Sequence, residues 1–306
     1  MLPQALPGGR FAAAGAVGKG NIMAKEKGKN NAKGKQDKKG GRFSIRHLNR
    51  WQTALIAVVC VVVVLAAVYG IGKLMNPGAF EPGNADKYTV AQTEALDDSP
   101  LEGQTIIFLG SSVTYGYASN GESFVDFLEK RDGITAVKEA VSGTTLVDEE
   151  SDGKASYVSR MKTIDTDIEA DAFVCQLSTN DASQGKELGG ISDSYDPEDF
   201  DVLTITGAIE YIIAYARQTW DCEVIFYTCP QFASDDYQAM VDRLFELQEK
   251  WDFDIIDLWN DEEFNDVSAL EHRFYMVDSY HPTAAGYREW WLPEFEEGLA
   301  LYLGLE

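Results

Sequence analysis

The stretch "TIIFLGSSVTYGY", residues 105–117, decides how the rest of the chain is read. Residues 105–109 make an apolar run of strand length, rich in β-branched and aromatic side chains. The run breaks into a small polar turn, bounded by Gly110 and Gly116, that carries Ser111 and Ser112. A continuous apolar run of this kind marks a strand buried on both faces. Downstream, runs of the same type recur as "ITAVKEAV" (134–141), "AFVCQLS" (172–178), "EVIFYTCP" (223–230) and "FDIIDLW" (253–259). Between them lie helical patterns, among them 123–131, 156–164, 204–220 and 237–251, with a closing helix near 284–303. Strands alternating with helices predict a five-stranded parallel sheet in a three-layer αβα sandwich over residues 103–306. Sheets of this kind place their sites at the carboxyl ends of the strands, which is where the paired serines fall.

Three further polar clusters fall at that same edge. "SGTT" (142–145) follows the second strand, "STND" (178–181) the third, and "VDSYHPTAAGY" (277–287) precedes the last helix. Each alone is ordinary turn chemistry; their joint placement points to a site. A serine nucleophile needs a base within hydrogen-bond reach. Of the chain's three histidines, His47 lies before a long apolar run, and His272, in "LEHRFYM", reads as a surface residue. His281 has Asp278 three residues before it. That spacing lets the carboxylate hold one imidazole nitrogen while the other faces a serine, the division of roles in a Ser-His-Asp triad.

These blocks resemble those of the SGNH (GDSL) hydrolases. "GSSVTYG" is similar to the first block, Gly143 to the glycine of the second, Asn180 to the asparagine of the third, and Asp278 with His281 to the last. The resemblance covers roughly residues 103–303. It implies a flavodoxin-like αβα sandwich, an esterase or acyl-transfer activity, no cofactor and no metal. It makes Ser112 the nucleophile, two residues before Thr114 and four before Gly116, with the N–H groups of Ser112 and Gly143 and the Asn180 amide as oxyanion donors. Ser111 stands where the family usually has aspartate, and Ser178 where it usually has glycine. The acidic "WNDEEFND" (259–266) lacks the spacing of a calcium loop and reads as a solvated loop.

The charge is divided. Residues 1–50 carry 12 Lys/Arg and 2 Asp/Glu, a balance of +10, while the whole chain is −24 and the remainder therefore −34. The boundary is "TALIAVVCVVVVLAAVYGIG", residues 53–72, with no charged side chain. At about 1.5 Å per residue it spans a hydrocarbon core of roughly 30 Å. It is apolar all round, unlike a soluble core helix, and longer than the apolar region of a cleaved signal peptide, the rival reading. Residues 51–73 are therefore expected to form a transmembrane helix. The basic flank places residues 1–50, a disordered tail, in the cytoplasm and the domain outside the cell membrane. Met23 is an alternative start. Residues 74–102 read as a linker. Cys175, Cys222 and Cys229 form no disulfide framework and read as small apolar residues.

The function expected is an extracytoplasmic esterase acting on short acyl groups, including O-acetyl groups on carbohydrate. Tyr115, Tyr117, Tyr280 and Trp259 are candidates to stack on sugar rings, and 182–200 is a candidate lid or subsite wall. Transfer of the acyl group to a sugar, or carbohydrate binding without catalysis, are the alternatives. The acidic outer region excludes nucleic acid as a partner.

Overall fold

The computed structural model describes residues 49–149 and 154–305; the expected basic tail, His47 and Met23 lie outside the described residues. The described residues divide into two units, with the boundary between Leu55 and Ile56. In the first unit, Asn49 caps the start of helix α1, Arg50–Met75: its Oδ1 accepts from the N–H of Gln52 at 2.9 Å, and Gln52 Oε1 accepts from the N–H of Asn49 at 3.0 Å. Helix α1 is one helical stretch of mean hydropathy 3.0, long and apolar enough to cross a membrane, and none of its residues is buried by protein. Pro77 follows its end, where proline stops a helix.

After α1, residues 76–103 run without regular structure apart from three 3₁₀ turns, Pro82–Asn84, Asp86–Tyr88 and Val90–Gln92. Strand β1 is Thr105–Gly110, followed by a one-turn helix α2, Ser112–Tyr115, and by α3, Phe124–Asp132. Then come β2 (Thr135–Ala140), α4 (Tyr157–Met161), β3 (Ala172–Gln176), α5 (Thr179–Ser183), α6 (Ile205–Trp220), β4 (Glu223–Tyr227), α7 (Asp235–Trp251) and β5 (Asp254–Ile256). The chain closes with α8 (Glu262–Asn265), α9 (Ala269–Tyr275), α10 (Ala284–Gly286), a π-helical turn at Tyr287–Trp291 and α11 (Leu292–Tyr302). The five strands are all parallel, in the order β2-β1-β3-β4-β5. The order reverses at β1, so the crevice between β1 and β3 is the switch point at which such sheets bind ligands.

Helices α3 and α11 cover one face of the sheet, and α4, α6 and α7 the other. Ile106, Ile107, Phe108 and Leu109 of β1 are buried from both sides. Helix α6 starts where the Thr204 hydroxyl accepts from the N–H of Gly207 and ends at Asp221 in the left-handed conformation; Ser234 and Asp252 do the same for α7. Under the turn after β1 lies an aromatic cluster. Phe124 stacks on Phe295 at 3.8 Å and meets Tyr227 edge-on at 5.2 Å.

Two local readings are corrected. Residues 259–266 are not a solvated loop: Asp261 caps α8, and Phe264 is buried, stacked on Trp290 at 4.5 Å. Phe264 has its apolar partner 26 residues away, which the local acidity hides. The excursion at 182–200 is not a wall of the site. Its backbone is pinned by Lys250, whose ammonium donates to the carbonyls of Ser192 (2.7 Å) and Ser194 (2.6 Å) and to buried Glu210 (2.5 Å). Lys250 sits at the last turn of α7, toward the amino ends of the strands, and is held among Tyr195, Phe200 and Trp251.

Candidate active site

The serine pair sits where β1 turns into α2. Ser111 is the residue before the helical turn and Ser112 its first residue, so the Ser112 side chain points out over the carboxyl edge. The turn is tied from beneath by Gln176 at the end of β3. Its Oε1 accepts from the N–H of Ser111 (2.9 Å) and the hydroxyl of Thr114 (2.9 Å), with a longer bond from Ser111 Oγ (3.3 Å). The Thr114 hydroxyl also meets the Tyr227 hydroxyl at 2.7 Å, and Tyr287 donates its hydroxyl to the Val113 carbonyl at 2.6 Å. Gly110 permits this closeness, since a Cβ there would stand 1.7 Å from Thr114 Oγ1. Gln176 thus supports the turn that carries Ser111 and Ser112.

The last loop brings His281 over Ser112. Imidazole Nε2 lies 2.8 Å from Ser112 Oγ, and Nδ1 lies 2.7 Å from Asp278 Oδ2 and 3.0 Å from Oδ1. Asp278 Oδ1 also accepts from the N–H groups of His281 (2.9 Å) and Tyr280 (3.1 Å), which fixes the carboxylate within its own turn. Burial pushes this carboxyl up, but the hydrogen bond and charge of His281 and the two backbone N–H groups outweigh it and hold it below the ordinary value. Ser112 and His281 are buried, while the Asp278 side chain is 47% exposed. The rings of Tyr117 and Tyr280 flank the imidazole at 5.3 and 4.7 Å.

Gly143 and Asn180 complete the group. Ser112, Tyr117, Ser142, Gly143, Lys154, Asn180, Tyr280 and His281 line one cavity of about 250 Å³. Gly143 adopts φ +83°, a left-handed conformation that favours glycine. Asn180 donates one amide hydrogen to the Thr144 carbonyl at 2.9 Å, which orients the amide beside the loop. Buried Asp181 accepts from the N–H groups of Leu146 (2.8 Å) and Val147 (3.2 Å) and so anchors the loop that carries Gly143. Burial raises the Asp181 carboxyl to about 6 against the pull of those donors, Ser178 and Lys186. Arg160 of α4 donates to the Gly110 carbonyl (2.8 Å), the Glu139 carbonyl (3.1 Å) and Thr144 Oγ1 (3.0 Å), tying β1, β2 and the loop together.

Gln176, Asp181 and Arg160 were not singled out from the sequence. Asp181 had a signal, its place beside Asn180; the other two had none, because their partners are distant in the chain. Of the aromatic candidates, Tyr117 and Tyr280 line the cavity, Tyr115 lies outside it, and Trp259 is buried with its Nε1–H on Gln238. His272 is half-buried on α9, its ring 6.4 Å from that of Trp290, and does not line this cavity. The four cysteines are free.

The sequence profile of the GDSL-like Lipase/Acylhydrolase family matches residues 108–289, more than half of the chain. The chain belongs to this family. The family is named for lipases and acylhydrolases, enzymes that act on ester bonds. Solved structures share the fold. One crystal structure is 22% identical over 66% of this chain and 99% of its own, with a TM-score of 0.56. A protein from Lactobacillus plantarum is 19% identical over 66% and 97%, with a TM-score of 0.51. A family two carbohydrate esterase from Clostridium thermocellum, in complex with cellohexaose, is 15% identical over 68% and 67%, with a TM-score of 0.46. No curated protein matches the sequence.

Proposed function

We propose that the chain is a membrane-anchored serine esterase that removes short acyl groups, O-acetyl groups on carbohydrate among them, outside the cytoplasmic membrane. The observation that carries this reading is the hydrogen-bonded line from Ser112 Oγ through His281 to Asp278. His281 Nε2 takes the proton of Ser112 Oγ as that oxygen attacks the ester carbonyl carbon. Asp278 stays ionised, holding Nδ1–H and stabilising the imidazolium. The negative charge that develops on the carbonyl oxygen is met by the N–H groups of Ser112 and Gly143 and the second amide hydrogen of Asn180. Nε2–H then protonates the departing alkoxide. A water, deprotonated by Nε2, attacks the acyl-serine and releases the acid with Ser112 restored.

The cavity supports a short acyl group, being smaller than the roughly 300–1,000 Å³ of sites for drug-sized ligands. Tyr117 and Tyr280 at its rim support a sugar as the alcohol. Helix α1 and the +10 flank before it support an anchored chain with its domain outside. The test is labelling of the full chain with a fluorophosphonate, with Ser112→Ala as control, followed by product analysis on acetylated saccharides in water and with a second sugar as acceptor. Labelling at Ser112 and free acetate are expected. An unlabelled chain with no turnover refutes catalysis, and acetyl groups found on the acceptor sugar make it a transferase.

A further inference from the structure

The chain between α1 and the α/β domain is fastened to the two segments that carry the site. Gly78, three residues past the end of α1, lies so close to Ala118 that a Cβ would stand 1.7 Å from its carbonyl oxygen. Asn84 donates to that same carbonyl at 2.7 Å and to the Gly78 carbonyl at 2.9 Å, and its Oδ1 accepts from the N–H of Ala284 at 2.7 Å. Gly83 is wedged in the same way, a Cβ there standing 2.3 Å from Phe274 O and Thr283 Oγ1. Farther on, the N–H of Val90 binds Glu122 at 3.0 Å. Ala118 follows Tyr117, and Ala284 is three residues past His281.

Reach turns these contacts into a distance. Three residues of chain span at most about 10 Å, so Ala118 stays within roughly that distance of the end of the apolar helix. A free coil of about 25 residues would instead let the domain range over roughly 25–30 Å. The side chains around the attachment suit a lipid boundary. Phe80 is 63% exposed, Tyr115 45% and Tyr117 40%, and tyrosine favours the bilayer interface.

We infer that residues 76–84 hold the site-bearing edge of the sheet against the bilayer surface, so that the ester this protein cleaves is borne by a membrane-resident amphiphile. This rests on the anchored-esterase reading. The partner is the lipid surface itself, met by Phe80, Tyr115 and Tyr117. The amino-terminal strand ends, where Asp221 lies, face away from it.

The test uses the full chain reconstituted in phosphatidylcholine–phosphatidylglycerol vesicles, with and without a Gly-Ser spacer inserted between Met75 and Asn76. A spacer of about 20 residues reaches roughly 25 Å as a coil. Two substrates share the acyl group and the fluorophore: umbelliferyl acetate in water and a long-chain alkylumbelliferyl acetate within the vesicle. The spacer should lower turnover of the bilayer-resident acetate by about tenfold, the scale on which tether length changes effective concentration, and leave the soluble acetate unchanged. Equal rates on the bilayer-resident acetate overturn the inference. In parallel, Tyr115→p-benzoylphenylalanine should photo-crosslink to lipid and Asp221→p-benzoylphenylalanine should not. Lipid adducts at both positions, or none at 115, also overturn it. Crosslinking at 115 alone with neither acetate cleaved would leave the lipid-facing edge standing and refute the esterase reading. A chain that does not float with the vesicles refutes both.

Discussion

Replacing Asp181 with asparagine removes one ionisable group from beneath the Gly143 loop while keeping its shape. Burial raises this carboxyl from its ordinary 3.8 to about 6. Within that window the folded chain holds a proton that the unfolded chain has released, so stability is greatest below the lower value and falls as pH rises through the upper one. At about 1.4 kcal/mol per pH unit, the span integrates to about 3 kcal/mol. The assay is urea unfolding of the detergent-solubilised full chain, followed by tryptophan fluorescence from about pH 4 to about pH 7, for wild type and Asp181→Asn. Other titrating groups are common to both chains and cancel in the difference. The stability of wild type relative to the variant should fall by about 3 kcal/mol across the window and then level off. Parallel profiles would refute the reasoning, because a carboxyl that titrates alike in both states contributes no slope. A rise with pH in place of the fall would mean that the N–H groups of Leu146 and Val147 outweigh burial.

Ser112→Ala should abolish both turnover and fluorophosphonate labelling, whereas Ser111→Ala should keep labelling and lose about 1 kcal/mol, one modest hydrogen bond, in urea unfolding. Gln176→Ala leaves the buried donors of Ser111 and Thr114 without their acceptor, so calorimetry should show a loss of about 2–3 kcal/mol, with slower turnover. Asn180→Ala should lower kcat by about 10²–10³ with little change in unfolding midpoint. Asp278→Asn should reduce kcat less than His281→Ala, because the half-exposed carboxylate is screened by solvent. With its carboxyl held low in the fold, wild type should also lose stability below the ordinary carboxylate range, relative to Asp278→Asn, as pH falls.

The sheet was legible because its central strands β1, β3 and β4 are buried on both faces, while β2 at the edge is only half-buried. Ile106, Ile107, Phe108 and Leu109 leave no alternation to misread. Ser112, His281 and Asp278 were legible because turn-borne groups advertise themselves by type and spacing, and they stand at hydrogen-bond distances. The one-turn α2 was not: a helix beginning near residue 122 was the natural reading, yet the turn after β1 is already helical at Ser112. Helix α9 was hidden because "ALEHRFY" is short and its residues are not fully buried. Gln176 and Arg160 were illegible for another reason. Each acts through partners on other strands or loops, and only the folded register puts Gln176 beneath Ser111.

The fastening of residues 182–200 by Lys250 bears on how the reaction is timed. The loop that might have served as a door is secured at the far side of the sheet, so on the proposed reading residues 182–200 are no gate for the departing alcohol. Its size is then set by the open side of the mouth rather than by a closing wall. On that reading discrimination would fall on the acyl moiety, which the small cavity would receive. Were deacylation the pacing step of the proposed esterase, alcohols of very different bulk, once acetylated, would share one maximal rate.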